Sequence, residues 1–166
     1  TVAHPIIEEC MLLANVSAAR FLLKAKIPTL FRVHAAPAEE KLADLKAFLA
    51  ELGLRFPGKK VVSTEDYSTL LKLISHRPDA HLIQTVMLRS LSQAIYSPEN
   101  IGHFGLAFDA YTHFTSPIRR YPDLLVHRAI RHVLAKRKAK DFFYDRASIH
   151  RLGEHCSSTE RRADEA

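Results

Sequence analysis

Two adjacent arginines, Arg119 and Arg120, are the residues of this sequence whose type and spacing offer the clearest chemistry. They stand where a strand or loop becomes a helix, and the unpaired backbone N–H groups and dipole of a helix start favour an anion. Two guanidinium groups beside such a start are typical of a phosphate site. The alternative is a surface ion pair between Arg119 and Asp123, four residues further on. Chemistry alone leaves these two interpretations evenly balanced.

The helix that must position these arginines has two possible starts. Ser116 can cap a helix, and Pro117 fits the first helical position after it. Pro122 fits that helix only if its first turn is irregular; otherwise the regular helix begins near Tyr121. We expect helical structure from about Ser116 to Lys138. Its buried stripe is expected to comprise Leu125, Ala129, Ile130, Val133 and Leu134.

The spacing of apolar residues elsewhere predicts an α/β (α+β) fold that is predominantly helical and has a few short strands. The other expected helices span residues 6–25, 38–52, 63–74, about 80–96 and 145–166, the last interrupted or distorted near Gly153. The first is expected to bury Ile7, Cys10, Met11, Ala14, Ala18, Phe21 and Leu22. The apolar stripe of the second is expected to comprise Leu42, Leu45, Phe48, Leu49 and Leu52. The third is expected to be capped by Ser63 or Thr64 and to carry Tyr67, Leu70, Leu71 and Ile74 on its apolar face. A short strand is expected at residues 30–34, and a strand pair or irregular strand over residues 102–113.

Composition limits the class of protein. The chain has 166 residues, 47% of them hydrophobic and 25% charged, which is ordinary for one globular domain or a piece of one. No apolar run approaches the ~20 residues of a membrane span, and no signal peptide is visible. The two cysteines, Cys10 and Cys156, indicate no disulfide framework and fit a reducing cytoplasm. The chain lacks a starting Met and ends within an expected helix, so both ends look like cuts.

The net charge of +6 is unevenly placed along the chain. Residues 1–118 carry 12 Lys and Arg against 11 Asp and Glu, whereas residues 119–166 carry 12 against 7. The basic excess therefore lies in and after the arginine motif, as expected of a surface that binds a polyanion. For residues 136–140, which contain four of these cations, we expect a solvated helix end.

The amino-acid sequence around Arg119 and Arg120 is distinctive. Residues 115–128 read Thr-Ser-Pro-Ile-Arg-Arg-Tyr-Pro-Asp-Leu-Leu-Val-His-Arg, which resembles a signature of the ribonuclease II and ribonuclease R exoribonucleases. The resemblance continues in residues 8–16, 77–80, 102–106, 152–156 and 159–166. It covers essentially the whole chain, and its details are closer to the ribonuclease R branch. It implies that residues 1–166 are the C-terminal part of the catalytic RNB domain.

The resemblance also implies an activity and roles for individual residues. The family hydrolyses single-stranded RNA processively from its 3′ end and releases nucleoside 5′-monophosphates. Arg119 matches the catalytic arginine that holds the scissile phosphate. Glu8 matches a glutamate that recognises the ribose, and Glu160 one near the exit of the nucleotide channel. Further candidates for lining that channel are Tyr111, Ser116 and Arg120.

The sequence offers no obvious metal site. The ten histidines include three pairs five residues apart, about 140° around a helix, which does not suit zinc. His127 is instead expected to form a structural pair with Asp123. The family resemblance implies Mg²⁺ in the complete enzyme, held by aspartates outside this chain. It also implies that the partners are single-stranded RNA and the rest of the polypeptide, comprising the N-terminal half of the RNB domain with cold-shock and S1 domains.

A second class of function fits the same residues. A non-catalytic helical domain that binds RNA or acts as a scaffold explains the charge and the missing metal ligands equally well. The sequence encoded upstream of this chain would distinguish the exoribonuclease from the non-catalytic domain, since an acidic cluster in that upstream sequence favours the enzyme.

Overall fold

The structure is a computed structural model that describes residues 3–58 and 62–165. Its α-helices are α1 (Ala3–Ala25), α2 (Glu39–Glu51), α3 (Thr64–Ile74), α4 (Ala80–Ser90), α5 (Tyr121–Leu134) and α6 (Arg146–Asp164). Two short strands, β1 (Phe31–Val33) and β2 (Ile95–Ser97), pair antiparallel. The predicted class, predominantly helical with a few short strands, is confirmed. None of the helices in these two ranges combines the length and the apolar character that a bilayer crossing needs.

The chain divides into two compact units, of which the first carries the arginine motif. This first unit contains α1, both strands, α5 and α6. Strand β1 pairs with β2 so that Arg32 lies opposite Tyr96. Helices α1 and α5 pack through small and branched apolar side chains, namely Ala18, Leu22, Val126 and Ala129.

Helix α6 packs closely on β2 at Gly153. A Cβ atom added at this glycine would lie 2.8 Å from the Tyr96 carbonyl oxygen and 2.8 Å from a methyl carbon of Leu30. The expected interruption of the helix near Gly153 is wrong, because α6 runs unbroken through it. The glycine serves close approach of helix and strand rather than a break.

The second unit comprises residues 34–93 and 104–107. Its core joins α2, α3 and α4 through Leu45, Leu49, Tyr67, Leu70, Ile74, Ile83 and Met87. Ser63 caps α3 with a capping box, since its hydroxyl accepts from the Asp66 N–H and the Asp66 carboxylate accepts from the Ser63 N–H. The apolar stripe and start that the sequence predicts for α2 and α3 are confirmed, except that Leu71 is exposed.

Three predicted boundaries are wrong. Helix α4 ends at Ser90 rather than near Tyr96, because residues 95–97 pair with β1 as a strand. Helix α5 begins at Tyr121, the later of the two possible starts, and ends at Leu134. Residues 102–113 form a turn closed by one bridge between His103 and Phe108, with a 3-10 turn between them, and contain no strand pair.

The predicted stripe of α1 is right for Ala18 and Leu22 and wrong for most of its other members. Ala18 and Leu22 are buried, whereas Ile7, Met11 and Phe21 are exposed by 59%, 38% and 38%. The buried face runs instead through Asn15, Val16, Ala18, Ala19 and Leu22. In α5 the predicted stripe holds for Leu125 and Ala129, but Leu134 is exposed.

Candidate functional site

The segment before α5 is fixed by one buried carboxylate. Asp123, in the first turn of α5, is fully buried. Its Oδ2 accepts hydrogen bonds from the Ser116 backbone N–H and from Arg120 Nη2, each at 2.8 Å. The Arg120 N–H also donates to the Ser116 carbonyl at 3.1 Å. These bonds close the turn at residues 117–119 and hold Arg119 at its outer edge.

The structure therefore assigns the ion pair to the other arginine. Asp123 pairs with Arg120, three residues before it, and not with Arg119 as the ion-pair interpretation expected. In the described part of the chain, no carboxylate forms a salt bridge with Arg119. Its guanidinium is left available for an anion, and the geometry favours the phosphate interpretation.

Arg119 lines an open cavity of about 660 Å³ in the first unit. The cavity is also lined by the first turn of α5, by Arg32 and Tyr96 from the two strands, and by one face of α6. Its charged lining residues are Arg32, Arg119, Arg120 and Glu160. This set of three arginines and one glutamate gives the cavity a net positive charge, which suits a polyanion.

One wall of the cavity is a bidentate ion pair. Arg32 donates through Nη1 and Nη2 to the two carboxylate oxygens of Glu160, at 3.1 and 2.6 Å. The same guanidinium lies 4.5 Å from the centre of the Tyr96 ring. A bidentate pair backed by an aromatic face is rigid, so it fixes α6 against the strands.

A half-buried histidine, His113, also lines the cavity. His113 Nδ1 lies 2.8 Å from the Tyr96 hydroxyl. Burial, followed by the charges of Arg120 and Arg32, lowers the pKa of His113 to about 3. Burial also raises the pKa of Tyr96 to about 12. Both groups are therefore neutral at pH 7, and the positive charge of the cavity comes from the arginines.

Two buried polar atoms at the site lack a partner. Arg120 Nε and Asp123 Oδ1 have no hydrogen bond within the described residues. Buried polar groups are rarely left unpaired, so each has capacity for a further bond. The Arg120 donor lies on the residue that also lines the cavity.

The other predicted site residues are distributed differently. Glu160 shares the cavity with Arg119, as described. Glu8 is exposed on α1 and Ser116 is half-buried, and neither lines the cavity. Tyr111 is buried, its hydroxyl accepts from Asn15 Nδ2 at 2.9 Å, and its ring stacks on Phe108. Its described contacts hold the loop, and its role in lining a channel stays a prediction.

Sequence reasoning missed two residues that build the site. Arg32 is the central residue of β1, and its carboxylate partner Glu160 lies on the distant helix α6, so the pair gives no local signal. Asn15 donates to Tyr111 and accepts from the Phe114 N–H at 2.9 Å, which anchors the segment leading to the arginines. The predicted pair of His127 with Asp123 is wrong, since His127 Nε2 contacts the Phe114 carbonyl at 2.8 Å.

The described residues do not fit a catalytic metal. In residues 3–58 and 62–165, no group of three or more His, Cys, Asp or Glu side chains is placed to hold an ion. Asp123 is engaged with Arg120, and Glu160 with Arg32. What this part of the chain offers is contact with an anion.

Residues 1–136, which include the Ser-Pro-Ile-Arg-Arg segment at the cationic cavity, match the family model of the RNB domain. The chain belongs to the RNB domain family. It is 54% identical over 99% of its length to ribonuclease R of Escherichia coli, and it covers 21% of that protein.

Two solved structures extend the comparison. Ribonuclease R of Mycoplasma genitalium, in complex with ribose-methylated single-stranded RNA, is 32% identical with a TM-score of 0.81, over 95% of this chain and 25% of that one. The yeast pseudonuclease Ssd1 has a TM-score of 0.75 at 23% identity, over 91% of this chain and 19% of that one, which shows a shared fold alone. The chain thus spans about a fifth to a quarter of the ribonuclease R proteins that it matches.

Proposed function

We propose that this chain is the C-terminal part of the RNB catalytic domain of a 3′-to-5′ exoribonuclease. The enzyme would hydrolyse single-stranded RNA to nucleoside 5′-monophosphates. The observation that carries the proposal is the position of Arg119. It is held at the edge of a cationic cavity by a turn that Asp123 closes through Ser116 and Arg120.

In this proposal Arg119 is the catalytic residue that the chain contributes. Its planar guanidinium can bind two phosphate oxygens at once. The turn is already closed, so the group need not be reorganised as negative charge develops on the phosphate. Such a preorganised donor accelerates the reaction because it binds the transition state more strongly than the bound substrate.

Five further residues are proposed to contact RNA. Glu8 would accept a hydrogen bond from the ribose 2′-hydroxyl, which DNA lacks. Glu160 would lie near the exit of the nucleotide channel, held in place by Arg32. Ser116 and Tyr111 remain candidates for lining the channel. Arg120, the fifth, would contribute charge and fix the turn.

The remaining parts of the enzyme would come from outside this chain. We propose that the family's Mg²⁺ is held by aspartates in the N-terminal half of the RNB domain, because the described residues offer no such cluster. Cold-shock and S1 domains of the same polypeptide would add RNA contacts. The cytoplasmic location inferred from the two free cysteines also remains a prediction.

The experiment is cleavage of labelled single-stranded RNA in the presence of Mg²⁺ by the complete polypeptide and by this chain alone. The proposal expects the complete polypeptide to release mononucleotides from the 3′ end. It expects the isolated chain to release none. Mononucleotide release by the isolated chain, abolished by EDTA, would show that the metal site lies within it and would overturn the division proposed here.

The second candidate function is a non-catalytic RNA-binding or scaffold domain. It is favoured by the lack, in the described residues, of a cluster that could hold a metal ion. The same experiment separates the two, since binding of RNA by the complete polypeptide without any hydrolysis would support the second.

A further inference from the structure

A second cationic cavity lies beside the first, in the connection between α5 and α6. It has a volume of about 480 Å³, and its cationic lining residues include Arg128, Arg131 and Arg137. Residues 128–144 contain six Lys and Arg against one Asp, so this short segment carries +5 of the chain's net charge of +6. Residues 136–140, for which the sequence predicts a solvated helix end, lie beyond the end of α5, and Arg137 among them lines this cavity.

Aromatic side chains stand among these cations. Phe143 is 88% exposed, which is unusual for so large an apolar side chain. Its ring meets the ring of Tyr144 edge to face at 4.9 Å. The next residue back, Phe142, points the other way and packs against His132 and the core that α1 and α5 share. The loop is thus fixed from inside while Phe143 is presented outward.

The turn that leads into this loop is also held. Two residues beyond the end of α5, Lys136 has a positive φ of 55°. His132 Nε2 lies 2.8 Å from the Lys138 carbonyl, so the chain is tied back to the helix it has just left. A cationic and aromatic surface on a fixed loop is preorganised for a ligand.

Tyr121 connects this surface to the Arg119 cavity. It lines that cavity, and its hydroxyl lies 3.5 Å from the Tyr144 hydroxyl and 3.4 Å from Arg128 Nη1. Arg128 also bonds the Tyr144 hydroxyl and lies 5.9 Å from the Tyr121 ring centre. The two cavities are therefore adjacent, joined by the contacts of Tyr121 from one with Arg128 and Tyr144 from the other.

We infer that the α5–α6 connection is an accessory contact for single-stranded RNA outside the cavity of the catalytic arginine. A base stacks on Phe143, and Arg128, Arg131 and Arg137 bind the neighbouring phosphates. Interleaved aromatic rings and cations are what a single strand requires, because every base has a face to stack and every linkage a charge. The inference rests on the proposed function, since it presumes that this chain binds RNA.

The test measures RNA affinity of the complete polypeptide, in EDTA so that no hydrolysis occurs. The probes are a short oligouridylate that reaches only the Arg119 cavity and one several times longer. Phe143→Ala should weaken binding of the long probe by roughly tenfold, the loss of one stacked base, and leave the short probe unaffected. Arg131→Ala should reduce the slope of log affinity against log salt for the long probe by about 1.

Matched variants identify the contact. Phe143→Tyr should bind the long probe like the wild type and Phe143→Leu like Phe143→Ala, since stacking needs a ring. Lys72→Ala and Leu73→Ala on α3 remove an exposed cation and an exposed apolar side chain elsewhere, and should leave both probes unaffected.

Several results would overturn the inference. Unchanged affinity of Phe143→Ala for the long probe means that no base stacks there, and equal weakening of both probes means a general defect. If Phe143→Leu keeps the full affinity for the long probe, Phe143 makes an apolar contact with another protein segment and does not stack on a base. If Phe143→Ala changes only how strongly free nucleoside monophosphate inhibits RNA binding, the cavity is a product site. If the wild type binds the long probe through Phe143 yet hydrolyses nothing, the proposed function fails while this contact stands.

Discussion

Arg119 and Arg120 are adjacent in sequence but have opposite surroundings. Arg120 is 21% exposed and donates to the buried Asp123 at 2.8 Å. Arg119 is exposed at the cavity, and no carboxylate in the described residues pairs with it. Removing Arg120 would leave a buried carboxylate without its cation, so Arg120 is a structural residue and not a peripheral charge.

The role proposed for Glu8 is tested by sugar selectivity. In the complete enzyme, Glu8→Ala should narrow the preference for RNA over DNA, because an acceptor for the 2′-hydroxyl is lost. The measurement is the ratio of cleavage rates on matched ribo- and deoxyribo-oligonucleotides, with Glu9→Ala as the neighbouring control. An unchanged ratio would leave Glu8 as an exposed charge on α1 without a role in ribose recognition.

His113 predicts a dependence of stability on pH. Burial, with Arg120 and Arg32, keeps this imidazole neutral down to about pH 3 when folded, whereas the unfolded chain takes up the proton near pH 6.5. Because the unfolded state binds more protons within this window, stability should fall as the pH falls from about 6.5 toward 3.

The check is the urea midpoint at pH 7 and pH 4.5, for wild type and for His113→Gln. Glutamine can keep a hydrogen bond to the Tyr96 hydroxyl but does not titrate. The variant should therefore lose less stability between the two pH values than the wild type does. Equal losses would mean that His113 is not the group responsible.

At the scale of elements, the local helices were the most predictable from sequence. The stripe of α2 and the Ser63 cap of α3 were both confirmed, because side chains a few residues apart in these helices share one core. The end of α4 was not predictable in this way, since Tyr96 is drawn into a strand by pairing with Arg32 far earlier in the chain. The role of Gly153 was not predictable either, because it depends on the close contact between α6 and β2.

The close contact at Gly153 predicts whether Gly153→Ala stabilises or destabilises the protein. Gly→Ala normally stabilises an exposed helix by about 1 kcal/mol. Here the added Cβ meets the Tyr96 carbonyl oxygen at 2.8 Å, and backbone cannot move aside as a side chain can. Gly153→Ala should instead destabilise by roughly 1–3 kcal/mol.

Hydrogen exchange of the α6 and β2 amides in the complete protein measures this effect locally. Ser158→Ala, at an exposed position of the same helix, is the control and should change little. Slower exchange in Gly153→Ala than in the wild type would show that the close approach of α6 to β2 is wrong.

At the scale of the whole molecule, the sequence motifs identified the family, and the described structure accounts for why they cluster. Arg119, Arg120 and Glu160 come from segments forty residues apart and meet in one cavity. Which arginine carries the ion pair could not be read from the sequence, because Asp123 is within helical reach of both. The fold decides it by closing the turn at residues 117–119.

In the proposed function, Arg119 stabilises the transition state of RNA hydrolysis rather than merely binding RNA. The measurement is single-turnover cleavage at saturating RNA, with affinity measured in parallel, for Arg119→Ala and Arg119→Lys in the complete enzyme. Arg151→Ala, which removes an exposed cation from α6, is the control.

We expect Arg119→Ala to lower the rate by roughly 10² to 10³, equivalent to about 3–4 kcal/mol, while affinity changes little. Arg119→Lys should fail nearly as badly, since an ammonium group cannot reproduce the planar fork. A wild-type cleavage rate for Arg119→Ala once RNA is saturating would contradict the account.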